Sequence, residues 1–290
     1  VKVAPSSASR PRHKGPTPYG DVNKVLLLLL VRVQRALPGK VAGFYLFGSL
    51  SLGDFDPQSS DVDFLIVTTG ELSEEELAGL KKMHDAIAST GLPYAKRLEG
   101  SYIPLAALRR YDPDNASHPT IGADWEFQVA AHGSNWVLER HIVREHGVVV
   151  WGPAPETLIE PVPPGELRRA VCATLAGFWR RQLQGPEPEW LRPLEYQAFA
   201  VLTMCRALYT LRHGDVVSKP AAAAWALQSL DPKWRPLVEK ALEWRRHEAG
   251  DPSFASSGPG SGQALAETLS FVRYAVGYGS KFCDREGRNA

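Results

Sequence analysis

Between Asp21 and Leu37 apolar residues recur at helical spacing, and Pro38-Gly39 stops the run, which predicts an amphipathic helix. Val41–Phe47 is short, apolar, aromatic and bounded by glycine, the pattern of a buried strand. A polar, glycine-containing stretch from Gly48 to Ser60 then leads into a second strand over Asp61–Val67. Ser73-Glu74-Glu75-Glu76 has capping-box spacing with acids in the first turn, and opens a helix running to about Ser89. Tyr94–Ile103 reads as a third strand and Trp125–Ala130 as a fourth. Ser134–Glu145 is helical, and Val148–Val150 is a short apolar run.

The pattern changes at the proline-dense stretch Pro153–Pro164, which marks a boundary. Beyond it the periodicity is helical over residues 165–183, 192–212, 220–230, 233–247 and 262–278, with a Ser/Gly/Pro loop at Ser253–Gly262. Residues 1–18, rich in Pro, Ser and basic side chains, read as a disordered tail. The expectation is an α+β chain. A domain at 19–155 holds a mixed sheet flanked by helices, and 156–290 forms an all-helical bundle.

Successive side chains on a strand point to opposite faces, so Asp61 and Asp63 are expected on one face, with Val62, Phe64 and Ile66 on the other. Two carboxylates so close repel unless a cation sits between them. Oxygen ligands in that arrangement suit Mg²⁺, which also binds phosphates, and two such ions can align a triphosphate with an attacking oxygen. Gly48-Ser49 ends the preceding strand, where glycine allows close backbone approach to a phosphate and serine can donate to it.

Composition narrows the partners. Hydrophobic residues at 44% and charged residues at 22% suit a folded soluble protein, and a net charge of +1 favours a small-molecule substrate over nucleic acid. Three cysteines, Cys172, Cys205 and Cys283, with no Cys-x-x-Cys pair, imply free thiols in a reducing cytoplasm, not a disulfide framework or structural zinc. The apolar run Val25–Val31 is too short to span a membrane. A cytoplasmic monomer is expected.

Gly48-Ser49-Leu50-Ser51-Leu52-Gly53-Asp54, followed by Ser60-Asp61-Val62-Asp63-Phe64-Leu65-Ile66-Val67, resembles the signature of the polymerase-β-type nucleotidyltransferase superfamily. That resemblance implies a third carboxylate on a neighbouring strand, for which Glu99 in Lys96–Tyr102 is the candidate. Over most of its length the chain is also similar to the aminoglycoside (3'')(9) adenylyltransferases. The match continues through Val201–Arg206, Tyr209, Lys219-Pro220 and Ala224–Ala226. In that family an arginine and a lysine hold the ATP phosphates at the interval that separates Arg206 from Lys219. The resemblance implies that Asp61, Asp63 and Glu99 hold metal, with Glu99 also the base on an acceptor hydroxyl. Gly48, Ser49 and Ser60 would contact the nucleotide.

Trp125 matches a tryptophan that family members place at the drug. The drug-binding aspartate of streptomycin-modifying members falls at Tyr196 by ungapped counting, with Glu195 one position earlier. The loop between Ser49 and Asp61 is one residue longer than the family pattern. The implied reaction transfers AMP from ATP to an aminoglycoside or aminocyclitol antibiotic, conferring resistance. The alternatives are adenylylation of a protein, a tRNA or another small hydroxylated molecule, or a non-catalytic nucleotide sensor. Asp54 and Asp56 are assigned to loop solvation or helix capping, and Trp136, Trp179, Trp225, Trp234 and Trp244 to the core.

Overall fold

The computed structural model describes residues 15–122, 126–246 and 261–286. Helix α1 (Gly20–Ala36) buries Val22, Val25, Leu26, Leu29 and Val33, the stripe that the spacing predicts. The described end of the expected tail is ordered. Thr17 is buried, and both its N–H and its hydroxyl donate to the Asn23 side chain, which anchors the chain at the start of α1.

Strand β1 (Val41–Leu46) leads into α2 (Gly48–Leu52), a short helix where the sequence suggested only a loop. Strand β2 (Val62–Thr68) starts one residue later than expected and leaves Asp61 just before it. Helix α3 (Glu74–Ala88) carries the capping box: Ser73 accepts from the Glu76 N–H, and Glu76 accepts from the Ser73 N–H. Strand β3 (Leu98–Pro104) is shorter than the apolar run suggested, because Tyr94 adopts a left-handed φ of 62° and the Arg97 N–H closes a turn onto its carbonyl. After α4 (Leu105–Leu108) come β4 (Ser117–Ile121), unforeseen in the sequence, and β5 (Phe127–Ala131). Helix α5 (Trp136–His146) and β6 (Val148–Trp151) complete the sheet region.

The six strands are ordered β5-β4-β3-β2-β1-β6. Among the described residues only β2 and β3 pair in parallel, joined through α3, so the sheet is mixed. Its two faces serve different cores. Val62, Phe64 and Ile66 pack with the buried stripes of α1 and α3. Leu65 and Val67 point the other way, into a core shared with α5 and the helical region.

That region comprises α6 (Pro164–Thr174), a π-helical turn (Leu175–Trp179), α7 (Arg180–Gln182), α8 (Leu194–His213), α9 (Lys219–Ser229), α10 (Arg235–Trp244) and α11 (Ser261–Glu286). Helix α8 is central and buries ten side chains, with α9, α10 and α11 packed around it. Most of the expected Ser/Gly/Pro loop lies outside the described residues, although Ser261 and Gly262 already belong to α11.

The cysteine expectation is overturned. Cys172 on α6 and Cys283 on α11 form a disulfide across 111 residues of chain, and only Cys205 is a free, buried thiol. Sequence spacing could not reveal a pair brought together by packing of α11 along α6, and with the bond goes the argument for a reducing compartment. Among the described residues no helix is long and apolar enough to cross a membrane.

Candidate functional site

The parallel register of β2 and β3 sets Asp63 directly opposite Glu99. Both lie on the strand face that turns towards the helical region, the face of Leu65 and Val67. Gly48 completes this side. It has a left-handed φ of 60°, and a Cβ there would fall on the Asp63 carboxylate. Glycine at this position is thus demanded twice, by backbone conformation and by the acid beside it. The Phe47 N–H donates to the Asp63 carbonyl at 3.2 Å, which locks the start of α2 to β2.

Asp61, outside the strand, is 46% exposed and lies 3.8 Å from the Arg97 guanidinium. Arg97 also donates to the carbonyls of Pro57 (3.0 Å) and Ser60, so one cation holds the loop that delivers Asp61. Ser60 is buried, and its hydroxyl accepts from the Asp56 N–H at 3.0 Å. Ser49 sits in the first turn of α2, where its carbonyl accepts from the Asp54 N–H.

A further acid, Glu139 on α5, joins the group. Burial pushes the Asp63 carboxyl well above the usual carboxylate range, and the charges of Glu99, Glu139 and Asp61 push it further. Glu139 is itself raised by burial, partly offset by Arg206 and Lys219. Nothing in the sequence marked Glu139, since an acid in the first turn of an amphipathic helix is ordinary. Packing of α5 against α2 places it. Arg97 was visible only as part of the segment containing Glu99.

Opposite the acids stand Arg206 on α8 and Lys219, the first residue of α9. Burial lowers the Lys219 ammonium to about 8. Arg206 lowers it too, while Asp63 and Glu139 act to raise it. The ammonium lies 4.3 Å from the ring centre of Phe199, which is 42% exposed. Along α8, Glu195 and Phe199 each fall within about 20° of Arg206 at roughly 100° per residue, whereas Tyr196 turns about 80° away from it. Glu195 and Tyr196 are both exposed, and the Tyr196 ring meets Trp190 edge-on. Trp125 lies outside the described residues.

Among the described residues, no three His, Cys, Asp or Glu side chains converge into a metal cage. Asp61 is turned to Arg97. The donors nevertheless suit a divalent cation: hard carboxylate oxygens whose mutual repulsion a metal would relieve.

A mixed sheet presenting paired acids on adjacent strands, with a glycine-serine turn beside them and cations facing them from a helical region, defines a nucleotidyltransferase. Residues 29–99 match the family model for the nucleotidyltransferase domain, and residues 157–256 that for the aminoglycoside adenylyltransferase C-terminal domain. The chain is an aminoglycoside adenylyltransferase-like enzyme.

It is 26% identical over 222 residues to the aminoglycoside (3'')(9) adenylyltransferase of Klebsiella pneumoniae, covering 73% of this chain and 80% of that protein. Identity to the spectinomycin 9-adenylyltransferase of Campylobacter jejuni is 25% over 233 residues, covering 77% and 83%. The fold is similar to that of the spectinomycin adenyltransferase AAD(9) from Enterococcus faecialis, solved with ATP and spectinomycin. The TM-score is 0.66 at 16% identity, covering 87% of this chain and 98% of that one.

Proposed function

We propose that this chain transfers AMP from ATP to a hydroxyl of an aminocyclitol antibiotic of the spectinomycin or streptomycin type, releasing pyrophosphate and conferring resistance. The observation that carries the reading is the electrostatic coupling of Lys219 to Asp61 and Asp63, with Glu99 paired beside Asp63 and Arg206 acting on Lys219. On this reading the triphosphate lies between them.

Asp61, Asp63 and Glu99 would hold Mg²⁺ (two ions), which would neutralise phosphate charge. Ser49 and Ser60 contact the nucleotide beside Gly48. Arg206 and Lys219 bind the triphosphate and stabilise the charge that develops on pyrophosphate. Glu99 accepts the proton of the acceptor hydroxyl. That oxygen then bonds to the α-phosphorus as the bond from the α-phosphorus to the bridging oxygen breaks. Trp125, with Glu195 and Tyr196 at the start of α8, forms the acceptor end. Glu195 shares the face of Arg206.

Mass spectrometry of an aminoglycoside and aminocyclitol panel incubated with ATP and Mg²⁺ tests this directly. One drug should gain the mass of one AMP, and Glu99→Gln should bind ATP yet lose transfer. Unmodified drugs throughout would sink the acceptor assignment. Label from α-phosphate ATP on a protein or RNA would favour a macromolecular acceptor instead.

A further inference from the structure

Asp54 follows Gly53, whose left-handed φ of 78° turns the chain out of α2, and its N–H bonds back to the Ser49 carbonyl at 3.0 Å. The backbone at Asp54 is therefore fixed by the same short helix that carries Gly48 and Ser49. From there it reaches the helical region twice. Its carboxylate accepts from the Ser218 hydroxyl, 164 residues along the chain, and its carbonyl accepts from Arg245 at 3.2 Å. Asp54, which the sequence assigns to loop solvation or helix capping, instead ties α2 to the helical region.

Ser218 is buried and is the N-cap of α9; its oxygen accepts from the Ala221 N–H at 3.3 Å. A hydroxyl has one proton and two lone pairs, so it can give the proton to Asp54 while capping the helix. The next residue is Lys219. One carboxylate beside the nucleotide-binding turn thus holds the end of the helix that presents the phosphate-binding ammonium.

We propose that Asp54 is a positioning residue that acts through Ser218. It fixes α9 against α2, so that Lys219 stands over the acids at the reach a triphosphate requires. Arg245 braces the same turn from the end of α10. The proposal rests on the adenylyl-transfer reading, in which Lys219 binds ATP.

Isothermal titration of ATP with magnesium chloride, using the full chain, tests it. Ser218→Gly removes the hydroxyl but keeps a residue that caps helices nearly as well, so it separates the latch from the cap. Asp54→Ala and Ser218→Gly should each weaken ATP binding on the order of tenfold, and the double variant should be no weaker than either single one. Ser218→Thr should restore most of the affinity. In a Lys219→Ala background, Asp54→Ala should have no further effect, which a merely structural contact would not predict.

Unchanged affinity in folded Asp54→Ala, or losses that multiply in the double variant, would overturn the latch. If Lys219→Ala weakens binding while Asp54→Ala does not, the latch fails and the adenylyl-transfer reading stands. A wild-type protein that binds no ATP overturns both.

Discussion

Gly48 leaves the space that the Asp63 carboxylate occupies: its φ is 60°, and any Cβ there would collide with that acid. The glycine of the Gly-Ser pair is therefore a steric partner of Asp63 as well as a turn residue. Gly48→Ala should abolish transfer while leaving the fold intact, because the strain is confined to one turn. A cost of about 1–3 kcal/mol is expected from the forced positive φ. Thermal unfolding together with a pyrophosphate-release assay measures both, and near-normal turnover would show that Asp63 can move aside.

Ionising Asp63 among Glu99, Glu139 and Asp61 opposes folding in the metal-free protein. A carboxyl raised in the folded state contributes stability that is full below its unfolded value, about 4, and is lost as pH climbs through the folded value. Asp63→Asn should therefore raise metal-free stability at neutral pH, by on the order of 1 kcal/mol, while removing activity. Mg²⁺ should stabilise the wild type more than the variant. Melting curves with and without Mg²⁺ check this, and equal shifts in the two proteins would contradict it.

Lys219, lowered to about 8, gives the nucleotide site a basic limit. ATP affinity should be full below that pH and fall by up to about tenfold per unit above it, as the ammonium loses its proton. The stability contribution runs the other way. Between about 8 and the usual 10.5 the unfolded chain holds the proton that the folded chain has released, so this residue's contribution to stability rises with pH. Lys219→Arg should remove the break in affinity, since arginine stays charged. ATP titrations from pH 7 to 9.5 read the difference, and an unbroken wild-type profile would contradict the assignment.

The Cys172–Cys283 bond closes a loop of 111 residues, for which chain entropy gives roughly 4–5 kcal/mol of stabilisation. Reduction, or a Cys172→Ser/Cys283→Ser pair of changes, should lower the melting temperature markedly while leaving ATP binding near wild type, because neither cysteine is among the residues assigned to the nucleotide. An unchanged melting temperature under reducing agent would show that the bond contributes nothing.

What could be read from the chain was local. The capping box at Ser73 and Glu76, the α1 stripe and the alternation of Val62, Phe64 and Ile66 against Leu65 and Val67 depend on residues a few positions apart, where periodicity is legible. So was the order of Gly48-Ser49, Asp61, Asp63 and Glu99, because their spacing resembles a known signature. Strand β4 was missed because Ser117–Ile121 has little apolar alternation and is a strand only through its pairing with β3 and β5.

The sequence by itself determined most of the elements and the candidate residues Asp61, Asp63, Glu99, Arg206 and Lys219, since each rests on short-range pattern or on motif. Only the tertiary structure decided what faces what. The β2–β3 register put Asp63 opposite Glu99, and Arg97 captured Asp61. The packing of α5, α8 and α9 brought Glu139, Arg206 and Lys219 to the same charges. Packing of α11 against α6 joined two cysteines that looked unrelated. These are encounters between residues far apart in sequence, made by burial of surfaces whose partners no local pattern names.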